Sequence, residues 1–170
     1  MLAGEGAVAI WNGIADAGRA DFYAWHLHEH MPERVGIPGF VRGRRYRAAD
    51  AQTQPEFFTL YETQTFQVIQ GTDYLARLND PTPWTRAATA HFQATTRSLT
   101  RVMASHGVGS GGAIMTVRFD IPESDLGDAV PRLASALEAV ARMPRICGAH
   151  LLGADAGTSG QSTAESKGRK

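Results

Sequence analysis

The sequence predicts an α+β fold, in which a ferredoxin-like βαββαβ unit is followed by the opening of a second one. Three observations lead to this prediction. Strand and helix patterns follow one another in the order β-α-β-β-α-β over residues 1–106. A glycine-rich break follows at 107–112, and a β-α-β pattern then restarts over 112–153. The remaining residues, 154–170, are rich in glycine, serine, threonine and lysine, a composition that predicts a disordered tail.

The elements of the first unit are predicted from its apolar patterns. An apolar run at 7–14 is typical of a strand. A helix is expected over 19–31, because Phe22 and Trp25 fall on one face at helical spacing, and Pro32 is expected to end it. The other elements are strands at 40–47 and 56–63, one or two helices at 65–79, a short helix begun by the prolines before Trp84, and a strand at 91–104, for which helix is the alternative.

The stretch after the glycine-rich break is predicted to repeat strand, helix and strand. Alternating apolar residues indicate a strand over 113–121. A helix is expected over 124–142, with Ser124 as its N-cap. The second strand is expected over 146–152, with Cys147 as a small buried core residue. The predicted buried stripe of the helix is Leu133, Leu137 and Val140.

The composition argues against several classes of protein. The 17 basic and 17 acidic residues give zero net charge, which argues against a nucleic-acid binder and against binding to an acidic membrane surface. No apolar run approaches the length of a membrane span, about 20 residues. The single cysteine excludes an internal disulfide and a thiolate metal cluster. The first residues lack the pattern of a signal peptide, so we expect a cytoplasmic protein.

Three histidines lie close together at the end of the first predicted helix. Histidine moves protons near neutral pH and is the commonest metal ligand. His30 is expected to act as a general acid or base, with a structural role at the helix end as the alternative. His26 lies one turn earlier, and two histidines at this spacing can chelate a metal. The glutamates nearby do not match the spacing of zinc-protease helices, so no metal site is predicted. His28 is expected to face solvent.

One pattern resembles the dimeric α+β barrel superfamily, nearest its EthD-like branch. It consists of Phe22-Tyr-x-Trp-x-x-x-Glu-His30, then Pro-Gly-Phe40 and Arg44-Arg-Tyr46. The resemblance implies two ferredoxin-like sheets packed face to face, by dimerisation or by internal duplication, and a homodimer is expected. It also implies a ligand pocket between the sheet and its first helix, and it maps the helix histidine of that branch onto His30. Relatives include lactone isomerases, polyketide cyclases and haem-degrading oxygenases, so the resemblance alone does not define a function.

Arginines and tyrosines on the predicted strands supply further candidates. Arg45 with Tyr46 is suited to bind a carboxylate or phenolate, because a guanidinium presents a planar fork of donors; a solvated edge strand is the alternative. Tyr61 is either a hydrogen-bond donor to substrate or a core aromatic residue. Arg97 and Arg101 share one face of an extended strand, where they would need an anion if they were buried.

Together these residues predict a small-molecule enzyme that transfers protons on an aromatic, lactone or polyketide-like substrate, as an isomerase, cyclase or lyase does. The expected catalytic residues are His30, His26, Tyr46 and Tyr61. The expected substrate-binding residues are Arg45, Arg97, Arg101, Trp84 and Trp25, of which Trp84 is a lid or a loop anchor. No cofactor is expected. The alternatives are a haem- or metal-dependent oxygenase that uses His26 or His30 as a ligand, and a non-catalytic module that binds a small ligand or dimerises.

Overall fold

The chain folds around one five-stranded antiparallel sheet. The computed structural model describes residues 1–159 and 163–167. The order of the strands in the sheet is β2-β3-β1-β4-β5, so that β1 lies at the centre between β3 and β4. The strands are β1 (Gly6–Ile14), β2 (Phe40–Arg47), β3 (Phe57–Thr63), β4 (Phe92–Gly107) and β5 (Gly148–Ala154). The prediction of an α+β fold is confirmed.

Helices connect the strands, and those between β1 and β4 in the sequence cover one face of the sheet. They are α1 (Arg19–Trp25), α2 (Met31–Val35), α3 (Thr72–Asn79), α4 (Pro83–Thr89), α5 (Leu126–Ala141), α6 (Ala156–Ser159) and α7 (Ala164–Lys167). A π-helical turn, His26–His30, joins α1 to α2, and short 3₁₀ helices lie at Asp16–Gly18, Phe66–Gln70 and Glu123–Asp125. Within the part of the chain that the structure describes, no helix combines the length and the apolar character needed to cross a membrane.

The alternation of side chains along β1 separates two apolar layers. Val8 and Ile10 point toward the helices and pack with Tyr61 of β3 and Leu99 of β4. Ala7 and its alternate neighbours point to the opposite face, which we call the open face of the sheet. That face carries the small cluster Leu2, Ala7, Ala9 and Leu60, with Trp11, Phe58, Val102 and Leu152 at its margin. The helix-covered face therefore holds the larger part of the core.

The first helix is longer than predicted, because it does not end at Pro32. α1, the π-helical turn and α2 form one continuous helical segment, residues 19–35, which we call the site helix. In the π-helical turn the Met31 N–H donates to the carbonyl of His26, five residues earlier. A proline in a regular helix clashes with the carbonyl four residues before it, and the wider turn gives the Pro32 ring room. His30 thus lies inside a helical segment and not at its end.

The predicted strand over 113–121 is wrong. This segment has no regular secondary structure and, within the described residues, pairs with no strand; Met115, Val117 and Phe119 are exposed. An extended segment becomes a strand only when a neighbouring edge accepts its hydrogen bonds, and β5 occupies the edge beside β4. The segment touches the sheet at Trp11, whose Nε1 donates to the Thr116 hydroxyl over 3.2 Å.

Three further details of the second half differ from the sequence predictions. Asp125 and not Ser124 is the N-cap of α5. The expected stripe on that helix is not buried: Leu133 and Leu137 are half-buried and Val140 is exposed. Cys147 is exposed, because it lies in the turn before β5 and not within the strand. The apolar face of α5 is therefore only half-buried, although the helix packs against β4 and β5.

The C-terminal residues contain the two shortest helices, α6 and α7. Both lie within the range 154–170, for which the composition predicts disorder. The other residues of that prediction, 160–162 and 168–170, lie outside the described residues. α7 packs against α3 and α4, close to the site helix.

Candidate functional site

The site helix presents a stripe of three ionisable side chains to the interior. His26, His30 and Arg34 follow one another at intervals of four residues and therefore share a face. All three are buried, with 5%, 5% and 3% of their surface exposed. Polar side chains at such depth need partners or a function. The neighbouring His28 is exposed, as predicted.

A small cavity lies between this stripe and the helix-covered face of the sheet. Its volume is about 10 Å³. This is room for about one water molecule. The lining residues come from three strands and the site helix: Ile10, Asn12, Trp25, His26, His30, Thr59, Tyr61 and Phe92. Four of the predicted site residues, His26, His30, Tyr61 and Trp25, are thus brought together around one space.

The two imidazoles lie beside each other in this cavity. The ring centroids of His26 and His30 are 5.5 Å apart. The indole of Trp25 covers His30, with 4.3 Å between the ring centroids. Trp25 is itself held by α4, because its Nε1 donates to the Thr85 hydroxyl over 3.1 Å, and Thr85 in turn donates to the Glu29 carboxylate over 3.1 Å. The position of the His30 ring is therefore set by packing on both sides.

His26 is held in its neutral form. Burial lowers its pKa, the nearby Arg45 guanidinium lowers it further, and together they bring it to about 3. Arg45 belongs to β2 and lies opposite Thr59, so its side chain is on the cavity side of the sheet. Its guanidinium carbon lies 5.1 Å from the ring centroid of Phe22 and 5.0 Å from that of Tyr23. The two aromatic rings thus hold a cation next to the histidines.

Arg45 has no carboxylate partner among the described residues. Its Nη1 is buried and makes no hydrogen bond within that part of the chain. Burial lowers the pKa of the Arg45 guanidinium, although the hydroxyls of Tyr23 and Tyr61 act in the opposite direction. A half-buried guanidinium without a counter-charge is the arrangement expected where an anion is to bind.

Tyr61 supplies the hydroxyl of the cavity. It is 2% exposed, and its hydroxyl has no hydrogen-bond partner among the described residues. The Tyr61 and His30 rings meet edge to face, with 6.3 Å between centroids. Gly43 lies opposite Tyr61 in the sheet, where a Cβ would come within 3.0 Å of the Tyr61 ring. Burial raises the pKa of Tyr61, so its hydroxyl stays protonated and can donate a hydrogen bond.

Five of the predicted site residues are not among those that line the cavity: Arg45, which lies beside it, and four others. Tyr46 lies on the open face of the sheet, stacked on Phe58. Arg101 lies over the Phe66 ring, with its guanidinium carbon 3.9 Å from the centroid, and Arg97 is opposite Ile10 on the helix-covered face. Trp84 lies at the surface, where its Nε1 donates to Asp21 over 2.9 Å.

The sequence reasoning missed several residues around the site. Thr59 and Asn12 line the cavity, and the alternation of β3 and β1 could have placed them there, because they share faces with Tyr61 and Ile10. Arg34 was missed although its spacing from His30 is the same as that of His26. Its partner, Glu165, comes from α7 and has no local sequence signal.

Within residues 1–159 and 163–167, no three histidine, cysteine, aspartate or glutamate side chains come together as a metal-binding group.

Comparison of the chain with protein-family models, with curated proteins and with solved structures found no match.

Proposed function

We propose that this chain is an enzyme that transfers protons on a small aromatic, lactone or polyketide-like substrate, with His30 as the general acid or base. The observation that carries the proposal is a set of groups at one cavity: two buried imidazoles 5.5 Å apart and, beside them, the Tyr61 hydroxyl and the Arg45 cation, for which the described residues supply no hydrogen-bond partner and no counter-charge, respectively. Buried polar groups of this kind are retained where they contact a ligand.

The two histidines have different roles in this proposal. A base whose pKa is about 3 is too weak to remove a proton from carbon at neutral pH, so His26 serves as a neutral hydrogen-bonding group. Proton transfer is assigned to His30, which is packed between Trp25 and the edge of Tyr61. Tyr61 and Arg45 are suited to stabilise the oxygen on which negative charge develops, as an enolate or phenolate does.

The size of the cavity adds a condition. A volume of about 10 Å³ admits no ring-sized molecule, so a substrate binds only if side chains around the cavity move apart. Pockets that open when a ligand binds are minor conformations that the ligand makes dominant. The proposal therefore includes a rearrangement of the lining residues on binding.

Proton transfer can be measured before the natural substrate is identified. Lactones, cyclic enones, β-keto thioesters and phenolic ketones would be incubated in D₂O, and exchange of carbon-bound hydrogen followed by ¹H NMR. We expect the wild-type chain to accelerate exchange in at least one class, and His30→Asn to slow that exchange about a hundredfold or more. His28→Asn is the matched control, because His28 lies exposed on the same helix. Equal exchange with wild type and His30→Asn would remove the proposal.

We further propose that the first unit is ferredoxin-like and that two copies of the chain form a dimeric α+β barrel of the EthD-like kind. The antiparallel strand order β2-β3-β1-β4 supports the first part. So do the connections along the sequence, because the site helix follows β1 and α3 follows β3. The apolar surface near the open face supports the second, since Met115, Val117 and Phe119 are exposed by 86%, 68% and 53%. Exposed apolar patches rarely remain without a partner.

The dimer is tested by light scattering. We expect twice the chain mass of 18.3 kDa for the wild type, and the monomer mass for Val117→Glu with an unchanged far-UV spectrum. Ser135→Glu, at an exposed position of α5, is the control, because it adds the same single negative charge. A wild-type chain that stays monomeric at 100 µM would contradict this part of the proposal and leave the proton-transfer function untouched.

A further inference from the structure

Arg34 brings a positive charge into the core next to the cavity. Its guanidinium is 3% exposed, and it pairs with two carboxylates: Nη2 donates to Glu165, and Nη1 donates to Glu33 over 3.2 Å. The Glu165 side chain is itself buried, with 2% exposed. A buried arginine is tolerated only while a carboxylate compensates its positive charge.

The buried carboxylate partner comes from the C-terminal part of the chain and not from the sheet. Glu165 lies 131 residues after Arg34 in the sequence, on the four-residue helix α7. Three hydrogen bonds join Thr163 and Ser166 within this short stretch, and a bond of 3.3 Å joins the Ala164 N–H to the Asn79 side chain. A helix of one turn has little stability of its own. Its carboxylate is therefore the most separable of the groups that contact Arg34.

Glu165 pairs with Arg34 one helical turn from His30, which lines the cavity. Arg34 follows His30 on the same face of the site helix, one turn later. Tyr61 links the two places, because its ring lines the cavity and also packs in one core cluster with Tyr74 and Leu78 of α3, the helix against which α7 lies. Tyr61 is 2% exposed, and its buried hydroxyl has no hydrogen-bond partner among the described residues.

We propose that Arg34 and Tyr61 form a carboxylate-binding position next to His30, and that Glu165 occupies it as an internal ligand until the carboxylate of a substrate replaces it. Glu33 keeps one negative charge on Arg34 during the exchange, so the guanidinium is at no stage left without a partner. The proposal rests on the proposed function where it names the substrate, an organic carboxylate. The anion site itself rests on the buried ion pair and on the Tyr61 hydroxyl.

The test measures binding of benzoate and of its neutral counterpart benzamide to the full chain by calorimetry. Glu165→Gln keeps the shape of the side chain and removes its charge, while Glu33 still pairs with Arg34. We expect this variant to bind benzoate about tenfold more tightly than the wild type, because apparent affinity rises with the fraction of molecules in which the site is open. We expect no gain for benzamide. Adding Tyr61→Phe to this variant should weaken benzoate binding about fivefold.

One control makes the result specific, and one replacement variant covers a failure to fold. Glu138→Gln removes a carboxylate that pairs with Arg142 on the surface of α5, and it should keep the wild-type affinity for benzoate. If Glu165→Gln does not fold, Glu165→Asp takes its place, since the shorter side chain reaches Arg34 less well and should also tighten benzoate binding. Equal benzoate affinity in the wild type and in the folded Glu165 variant overturns the proposal, and so does equal binding of benzoate and benzamide.

The two proposals can fail separately. His30→Asn combined with Glu165→Gln should still bind benzoate, because the carboxylate site does not use the His30 ring. Retained benzoate binding together with unchanged proton exchange in His30→Asn would remove the proposed function and keep the carboxylate site. Exchange that depends on His30, without any effect of Glu165 on benzoate, would do the reverse.

Discussion

The indole of Trp25 lies against the imidazole of His30, with 4.3 Å between the ring centroids and 31° between the planes. The two residues are five positions apart on the site helix, and they meet because the helix widens into a π-helical turn between them. Such turns are often found at functional sites. The contact fixes one side of His30, while the small cavity lies on another, so the histidine is held in place beside the space that must widen to admit a ligand.

Thr85→Val should destabilise the chain through Trp25. The Thr85 hydroxyl accepts from Trp25 Nε1 and donates to Glu29, and valine has the same shape without either bond. A buried Trp N–H left without a partner costs about 1–3 kcal/mol. We expect a loss of this size in the free energy of unfolding, measured in urea, and a change in Trp25 fluorescence. Thr96→Val, at an exposed strand position, is the control and should be nearly neutral.

His26 should make the chain less stable as the pH falls below neutral. Burial, with Arg45, lowers its pKa from the ordinary 6.5 to about 3, so below 6.5 the unfolded chain takes up a proton that the folded chain does not. Stability from this residue is complete above pH 6.5 and falls as the pH goes down toward 3. Between pH 7 and 5 the loss is about 2 kcal/mol.

Urea unfolding at the two pH values checks this. His26→Gln should reduce the loss of stability between pH 7 and 5, and His28→Gln should keep the wild-type loss, because His28 is exposed on the other side of the helix. NMR of the His26 ring nitrogens should show a neutral imidazole at pH 5. A protonated ring at that pH would contradict the assignment of His26 as a neutral hydrogen-bonding group.

The strands of the first unit were predictable because their signals are local. β2 begins and ends where the sequence predicts, since Pro38 and Gly39 precede it and a polar turn follows. The end of the site helix was not predictable in the same way. Pro32 normally ends a helix, and only the structure shows that a π-helical turn accommodates its ring. The alternation at 113–121 has the period of a strand, but a strand also needs a partner edge, and that depends on distant residues.

The site was predictable only in part, for a similar reason. The histidines stand in one short segment, so their spacing could be read directly. From the sequence alone, Tyr46 and Tyr61 were equally good candidates for a catalytic tyrosine. The register of β2 against β3 places them on different faces of the sheet: Tyr46 pairs with Phe58 on the open face, and Tyr61 pairs with Gly43 on the helix-covered face. The ion pair of Arg34 with Glu165 joins residues 131 positions apart, and no local pattern indicates such a contact.

Glu62→Gln should weaken the open face of the sheet in a pH-dependent way. Glu62 has no exposed surface and accepts from Arg42, from Arg44 and from the Ala3 N–H. Burial works against its ionisation, but these donors prevail and lower the pKa of Glu62 below its ordinary 4.5. The stabilisation is therefore present above pH 4.5 and lost as the pH falls through the lowered value.

We expect Glu62→Gln to lose about 1–3 kcal/mol of unfolding free energy at pH 7 and clearly less near pH 3. Glu56→Gln is the matched control, because Glu56 also pairs with an arginine, Arg19, at a more exposed position. Exposed pairs contribute about 0–1 kcal/mol. A loss for Glu62→Gln that is the same at both pH values would show that packing and not charge is responsible.

Gly39→Ala should disturb the turn that leads from the site helix into β2. Gly39 has a φ of +88°, in the left-handed region that other residues adopt only with strain, and a Cβ there would lie 2.5 Å from the Val68 side chain. Val68 packs against the core cluster beneath the site helix, so it cannot move away without opening a gap. We expect a loss of about 1–3 kcal/mol in unfolding free energy, combining backbone strain with overpacking.

Gly112→Ala, where a Cβ meets nothing within 4 Å, should change stability little by comparison. If both substitutions were equally mild, the conformation of Gly39 would not be needed to bring Phe40 and the rest of β2 into register beside Tyr61.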